Sequence, residues 1–321
     1  MSEAPVGAVA PARAKGARPS VLITAATIAL IGTLFATLPF ARWWFAACEE
    51  RGEIVRYAAA VDQVREDGLA QMLRDADDYN AALARGAGGG PVGDPFADPL
   101  GELGAGGDGG DRVDAAGAGA AGAVDRYVRQ LAVDGTGVMA TVSVPAIGVV
   151  LPVYHGTSDA TMLKGVGHLF GSSLPVGGPG THSVLVGHSG HGESRLFHSL
   201  SKVAAGDVFS VSAAGRHLYY RVTGSEVVEP DAVESLDLVP GRDLVTLVTC
   251  TPIGINSHRL LVHAERTDAP ARVPELAEQG ARPFPWWAVA DVVALAVWGG
   301  YVGRVVGRGR RSVVPTTPGR L

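Results

Sequence analysis

Residues 245–263 read VTLVTCTPIGINSHRLLVH, and they decide the fold of the region around them. Residues 244–249 are apolar or β-branched, which predicts a buried strand that ends at Cys250. A Pro-Ile-Gly-Ile-Asn loop then turns the chain, and Arg259 opens a second apolar run. The pattern predicts two antiparallel strands, and their pairing would bring Arg259 back beside Cys250.

A cysteine and an arginine held side by side favour nucleophilic chemistry. A permanent cation stabilises the thiolate of Cys250, and the fork of donors on Arg259 can hold a developing oxyanion. Residues 183–190, SVLVGHSG, offer a base, because a second β-rich run ends there at His188. Cys250 also has an ordinary interpretation. A lone cysteine that ends an apolar strand is commonly a small buried hydrophobic residue.

Further short strand candidates recur along the chain. They lie at 140–145, 149–155, 182–189, 207–212, 217–229, 244–252 and 259–266, while 156–180 is expected to be a long irregular connection. Seven or eight strands separated by glycine and proline turns indicate a mainly β fold, in the form of a closed or nearly closed barrel. Residues 49–85 have apolar side chains at helical spacing and predict one or two amphipathic helices before the barrel.

Three separated blocks resemble the sortase family, and especially its class C, or pilin-polymerising, branch. The blocks are VDGTGVM at 133–139, HSVLVGH at 182–188, and TLVTCTP followed by GINSHRLLV at 246–262. The resemblance implies a closed sortase-type β-barrel with N-terminal amphipathic helices and a transmembrane helix at each end. It also implies that Cys250 is the nucleophile, that His188 donates and accepts the proton, and that Arg259 stabilises the oxyanion.

Two residues depart from the family pattern next to these positions. Ser189 follows the histidine where arginine or threonine is common, and Ile253 follows Thr-Pro where tyrosine is common. Neither change removes a catalytic group, but both could alter contacts with a substrate.

The resemblance also implies a reaction and its partners. The Cys250 thiolate would attack the threonyl carbonyl of an LPxTG-like sorting signal to leave a thioester, and an amine would then take the acyl group. The expected partners are pilin subunits with C-terminal sorting signals, an acceptor lysine of a pilin or a peptidoglycan precursor, and the membrane bilayer, with no cofactor. Two alternatives stay open: a housekeeping sortase that anchors proteins to peptidoglycan, and a non-catalytic, membrane-tethered β-barrel binding module in which Cys250 is structural.

A lid is a further feature that the class C resemblance implies. Asp94, Pro95 and Phe96 resemble the Asp-Pro-aromatic motif that plugs the active site in that branch. By this likeness Asp94 would pair with Arg259, and Phe96 would cover Cys250.

The lid motif stands in a segment rich in glycine, alanine and aspartate. This segment, 86–123, lacks periodicity and is expected to be a long flexible loop. Its glycine tract looks longer than the family usually shows, and residues 98–100, Asp-Pro-Leu, offer a second register without an aromatic residue. A turn in a linker is the plain alternative for residues 94–96.

Two apolar runs predict membrane spans. Residues 21–40 carry no charge and are long enough to cross a bilayer core of roughly 30 Å as a helix, and 286–306 form a second run that contains Asp291. Basic residues precede the first run and end or follow the second, which predicts cytoplasmic termini and an extracellular catalytic domain at the cell membrane. A cleaved signal peptide is the alternative for the first run.

The expected division of the chain follows from these segments. It comprises a cytoplasmic N-terminus (1–20), a transmembrane helix (21–40), amphipathic helices (41–85), a flexible lid loop (86–123), the β-barrel catalytic domain (124–267), a linker (268–285), a second transmembrane helix (286–306) and a basic cytoplasmic tail (307–321).

Composition argues against several other functions. The formal net charge is only -5 and the basic residues are scattered, so nothing indicates nucleic acid binding. Cys48 and Cys250, the two cysteines, are both expected to be free thiols, because one is juxtamembrane and the other ends a core strand. His182, His188 and His191 lack an acidic partner at zinc-like spacing, so no metal is expected.

Overall fold

The computed structural model describes residues 19–86, 93–97, 100, 115–133, 135–189, 196–270 and 284–311. The chain forms two units, of which the larger is Trp43–Pro283 and the smaller combines Met1–Arg42 with Phe284–Leu321. The helices of the described residues are α1 (Pro19–Gln63), α2 (Glu66–Ala84), α3 (Ala115–Val128), α4 (Asp159–Met162) and α5 (Trp286–Arg311).

The larger unit contains a closed barrel of eight strands. They are β1 (Val138–Val144), β2 (Val149–His155), β3 (Val166–His168), β4 (Thr181–Val186), β5 (Val208–Ala213), β6 (Arg216–Val228), β7 (Asp243–Thr251) and β8 (His258–Thr267). Their order around the barrel is β1-β2-β3-β4-β7-β8-β6-β5. The prediction of a mainly β, closed barrel of seven or eight strands is confirmed.

Strands β4 and β7 are parallel neighbours, and their pairing positions the candidate site. Val186 lies opposite Val248, and every residue of β4 is buried. Residues 184–186 of β4 and 244–249 of β7 are apolar or β-branched, as expected of parallel strands that are covered on both faces. Because the two strands end at the same edge of the sheet, His188 and Cys250, each two residues beyond this pair, emerge at one edge.

Within 156–180 the prediction of an irregular connection is wrong at two places. β3 pairs in parallel with β2 and antiparallel with β4. α4 precedes it, and the Ser158 side chain caps α4 by accepting a hydrogen bond from the Thr161 N–H at 3.2 Å. Elements this short do not show a period in the sequence. α3 also begins at Ala115, inside the segment expected to be a loop, because its many alanines favour a helix.

Two helices that precede the barrel in the chain dock on it through buried polar groups. The Tyr57 hydroxyl of α1 donates to the Met139 carbonyl and accepts from the Ala214 N–H, both at 3.1 Å. On α2, the Asn80 amide donates to the Leu174 carbonyl at 3.1 Å and accepts from the Leu174 N–H at 2.7 Å. Because buried backbone groups need a partner, each contact fixes its helix at one place on the barrel.

The smaller unit is formed by two apolar helical segments. Both α1 and α5 are long and apolar enough to cross a membrane, by length and composition, so the prediction of such a helix at each end is confirmed. The Thr37 hydroxyl of α1 donates to the Asp291 carboxyl group at 2.8 Å, and the Trp298 indole N–H donates to the Thr27 hydroxyl at 3.2 Å. Polar groups of α5 are therefore satisfied by α1.

Candidate active site

Cys250 lies opposite Arg259 in the antiparallel ladder of β7 and β8. The pairing that the sequence predicts is therefore present. Cys250 is 8% exposed and Arg259 is 7% exposed, so both side chains are largely removed from water. The loop between the strands is tight, because the N–H groups of Ile255 and Asn256 both donate to the Pro252 carbonyl, at 3.0 and 2.9 Å.

The guanidinium of Arg259 is held by this loop and by Asp94. Its Nη1 donates to the Asn256 carbonyl at 3.1 Å and to the His258 carbonyl at 3.3 Å. Its Nε and Nη2 donate to the two carboxylate oxygens of Asp94 at 2.9 and 2.8 Å. The edge of the fork that could hold an oxyanion is therefore occupied by the carboxylate.

The Phe96 ring contacts two polar side chains of the site, Arg259 and His188. The guanidinium carbon of Arg259 lies 4.9 Å from the centre of the Phe96 ring, and the ring centres of Phe96 and His188 are 6.0 Å apart. The segment is anchored on both sides: the Phe96 N–H donates to the Asp94 carboxylate at 3.1 Å, and the Ala97 carbonyl accepts from the Thr157 hydroxyl at 2.8 Å. Residues 94–96 thus lie against Arg259 and His188, and Pro95 is buried.

His188 follows β4 and is largely buried. Its side chain is 15% exposed, and its Nε2 lies 4.0 Å from an Asp159 carboxylate oxygen. Its carbonyl accepts from the Phe197 N–H at 3.1 Å, while a Cβ at the preceding Gly187 would stand 2.8 Å from the Phe197 ring. Only glycine leaves room for that ring, so the close packing fixes the backbone that carries the histidine.

Burial and charge act on the thiol in opposite directions. Burial raises the pKa of Cys250, the neighbouring Arg259 lowers it, and Asp94 raises it again, with a net upward shift. The net shift favours the protonated, less nucleophilic form of the thiol. If Asp94 moves away from Arg259, one of the two causes that raise the pKa of Cys250 is removed.

One residue of the site was missed by the sequence reasoning. The Thr249 hydroxyl donates to the Gly187 carbonyl at 2.7 Å and is 3% exposed. This bond joins the residue before the cysteine to the residue before His188. A threonine inside an apolar run carries no signal that distinguishes such a bond, because its partner lies on a strand distant in sequence.

His258 does not join this group. His258 is the strand neighbour of Arg259, and its Nε2 lies 3.2 Å from Glu229 rather than at the thiol. His191 lies outside the described residues. Within the described ranges, no group of three or more histidine, cysteine, aspartate or glutamate residues could hold a metal ion. Cys48 and Cys250 are free thiols.

Comparison with known proteins gives one consistent result. The family model of the Sortase domain matches residues 142–267. The solved sortase C-1 from Actinomyces oris is 43% identical, and the match covers 63% of this chain and 99% of that chain with a TM-score of 0.52. The solved sortase C of Streptococcus pneumoniae, described with its pilin substrate specificity, is 31% identical over 68% of this chain and 98% of its own, with a TM-score of 0.54.

A curated relative matches a shorter region. Sortase A of Bacillus anthracis is 27% identical over 145 residues, which are 45% of this chain and 67% of that protein. With the solved structures, this likeness confirms the sortase type of the barrel and the resemblance to the class C branch.

Proposed function

The chain belongs to the sortase family, and we propose that it is a membrane-anchored class C transpeptidase that joins pilin subunits through isopeptide bonds. The observation that carries the proposal is the pairing of Cys250 with Arg259 on adjacent strands, with Asp94 engaged on that arginine. A binding module would have no use for a thiol, a guanidinium and a displaceable carboxylate at one point. An enzyme that keeps a nucleophile inactive until its substrate arrives has a use for all three.

The first half of the reaction forms a thioester. The Cys250 thiolate attacks the threonyl carbonyl carbon of an LPxTG-like sorting signal, and negative charge develops on the carbonyl oxygen. Once Asp94 has left, the Nε and Nη2 donors of Arg259 are free to hold that charge. The bond to the glycine nitrogen then breaks, and the imidazolium of His188 gives its proton to the leaving amine.

The second half transfers the acyl group to an amine. A lysine side chain of another pilin attacks the thioester, His188 accepts its proton, and the Cys250 thiolate leaves. The product is an isopeptide bond between subunits. Water competes with the amine at this stage, so excluding water from the thioester favours transfer over hydrolysis.

The membrane and the pilin are proposed on different grounds. α1 and α5 are apolar enough to span a bilayer, and the flanking basic residues favour cytoplasmic termini with the barrel outside the cell. The lid-like segment and the likeness to a sortase C described with pilin specificity favour a pilin. A housekeeping sortase would use a peptidoglycan amine in place of the lysine, so the acceptor separates the two functions.

The test uses the full chain in detergent micelles with a panel of LPxTG-type peptides, analysed by intact mass. We expect a thioester adduct that is lost in Cys250→Ala and retained in the matched variant Cys48→Ala. In a second step, lysine peptides from pilins and peptidoglycan-type amines compete for the adduct. Lysine transfer supports the pilin function, and exclusive transfer to the peptidoglycan amine supports the housekeeping function. No adduct with any peptide would overturn the enzymatic proposal and leave Cys250 as a structural residue.

A further inference from the structure

A second polar region lies on the same face of the sheet as Cys250. Thr246, Val248 and Cys250 alternate onto one face of β7, and Thr246 lines a cavity of about 400 Å³ together with His182 and His263. Val248, which lies between Thr246 and Cys250 on this face, belongs to an apolar cluster. The members of this apolar cluster are Met162, Leu169, Val184, Val186, Leu236, Val248 and Leu261.

Four side chains from four strands form one continuous hydrogen-bonded chain in this region. We call Glu226, His263, Thr246 and His182 the polar clasp. Glu226 lies 3.1 Å from His263 Nε2, His263 Nδ1 lies 2.9 Å from the Thr246 hydroxyl, and that hydroxyl lies 2.7 Å from His182 Nε2. Thr246 is completely buried, so its hydroxyl depends on these two rings for its hydrogen bonds.

The two ends of the polar clasp hold the residues on either side of Leu236. His182 Nδ1 lies 2.9 Å from the Asp237 carbonyl, and the Ser235 side chain hydrogen-bonds to Glu226. Leu236 itself is 3% exposed and belongs to the apolar cluster, against which the Phe96 ring also packs. The polar clasp therefore fixes the β6–β7 connection, residues 229–242, at the point where it completes the wall beside the candidate active site.

Counting hydrogens shows what the polar clasp requires. The Asp237 carbonyl can only accept, so His182 Nδ1 carries a hydrogen. The Thr246 hydroxyl has one hydrogen, which it donates to one ring nitrogen, and its oxygen accepts from the other. The burial that lowers the pKa of His182 favours its neutral ring, whose Nε2 accepts. Replacing the hydroxyl with a methyl group would leave one ring nitrogen of His182 and one of His263 without this partner.

We propose that Glu226, His263, Thr246 and His182 are positioning residues that hold residues 229–242 against the apolar cluster. When Thr246 loses its hydroxyl, the polar clasp is broken in the middle and the connection is released. Its effect on donor binding rests on the proposed transpeptidase function. Its effect on the connection does not.

The other charges around the polar clasp are paired or lie beyond it. Arg242 makes two hydrogen bonds to Glu265, at 3.0 and 2.7 Å, and Asp237 and Arg242 both act electrostatically on His182. From β6, the Thr223 hydroxyl donates to the His263 carbonyl at 3.1 Å, which leaves the ring unaffected. Among these groups, Glu226 is the carboxylate that contacts the His263 ring.

The test measures hydrogen exchange of residues 229–242 in the full chain in detergent. Thr246→Val removes the hydroxyl that joins the two rings, so this segment should lose roughly tenfold protection, the equivalent of one buried hydrogen bond. The matched control Thr267→Val, at the end of β8 and outside the polar clasp, should behave like the natural chain.

A second measurement uses a sorting peptide. Loss of the polar clasp in Thr246→Val should raise KM and spare kcat, whereas Thr267→Val should change neither. If Thr246→Val matches the natural chain in hydrogen exchange, the proposal is wrong. A chain without transpeptidase activity would remove only the kinetic consequence, since hydrogen exchange needs no substrate.

Discussion

Replacing Asp94 with asparagine should raise the rate at which Cys250 is alkylated. Asp94 accepts two hydrogen bonds from Arg259, and the two side chains are only 22% and 9% exposed. Asparagine removes the charge and one of the two acceptors. The guanidinium then becomes free to act on the thiol, and residues 94–96 lose their main attachment.

The magnitude follows from the contacts. A hydrogen bond to a charged group contributes about 1.5–3 kcal/mol, and the cost of desolvating both charges offsets part of the sum for two. A net loss of about 2 kcal/mol from the closed arrangement corresponds to roughly a 30-fold larger open fraction. The pKa of Cys250, which burial raises and Arg259 lowers, also loses the upward effect of Asp94 and should fall.

The assay separates these two effects. Alkylation by iodoacetamide is measured against pH in a Cys48→Ser background, so that only Cys250 reacts. Greater access multiplies the rate at every pH, whereas a lower pKa moves the midpoint of the profile to lower pH. Asp98→Asn, in the neighbouring Asp-Pro register, is the matched control. An unchanged rate in Asp94→Asn, or an equal rise in Asp98→Asn, would refute the assignment of Asp94 as the carboxylate that holds the site closed.

Three further predictions concern the site and its support. Arg259→Lys should lower the rate of transpeptidation by roughly 100-fold or more, because an ammonium lacks the planar fork of donors. Steady-state kinetics measure this effect, with the exposed-surface variant Arg221→Lys as the control. Asn80→Ala should lower the free energy of unfolding by about 2 kcal/mol or more, because the buried N–H and carbonyl of Leu174 lose their partner; chemical unfolding measures it. Burial lowers the pKa of His168 from 6.5 to about 4. As pH falls, the unfolded chain therefore binds a proton at this residue before the folded chain does. Up to about 3 kcal/mol of the free energy of unfolding should be lost between pH 6.5 and about pH 4. The free energy of unfolding of His168→Gln should depend less on pH over that range.

The parts of the fold that depend on nearby residues could be predicted from the sequence. Cys250 and Arg259 meet because one short loop joins their strands, and a hairpin fixes which residues face each other. The terminal helices could be predicted in the same way, since about twenty apolar residues form a signal by themselves.

What could not be predicted depends on contacts between distant stretches. The parallel pairing of β4 with β7 brings His188 to the edge of the sheet that carries Cys250. No local sequence pattern indicates that β7 is the strand that pairs with β4. β3 has three residues and gains its conformation from the strands on both sides. The polar clasp joins four strands, and each of its residues alone looks like an ordinary polar residue on a strand. The position of Asp94 at Arg259 was expected only through the resemblance to a family.

The geometry also indicates which step activates the site. Cys250 and Arg259 belong to a continuous ladder, and the Thr249 hydroxyl ties the cysteine strand to the residue before His188. These groups are already fixed by strands, so little of the reactive centre needs to be assembled. In the proposed function, residues 94–96 must move away from this centre. That movement is opposed by about 2 kcal/mol of ion pairing with Arg259, by the contacts of the Phe96 ring and by the hydrogen bond of Thr157 to the Ala97 carbonyl. A sorting signal that bound the apolar cluster in place of Phe96 would supply this energy. Its binding would then free the guanidinium and lower the pKa of the thiol, so that activation and substrate binding would be one step.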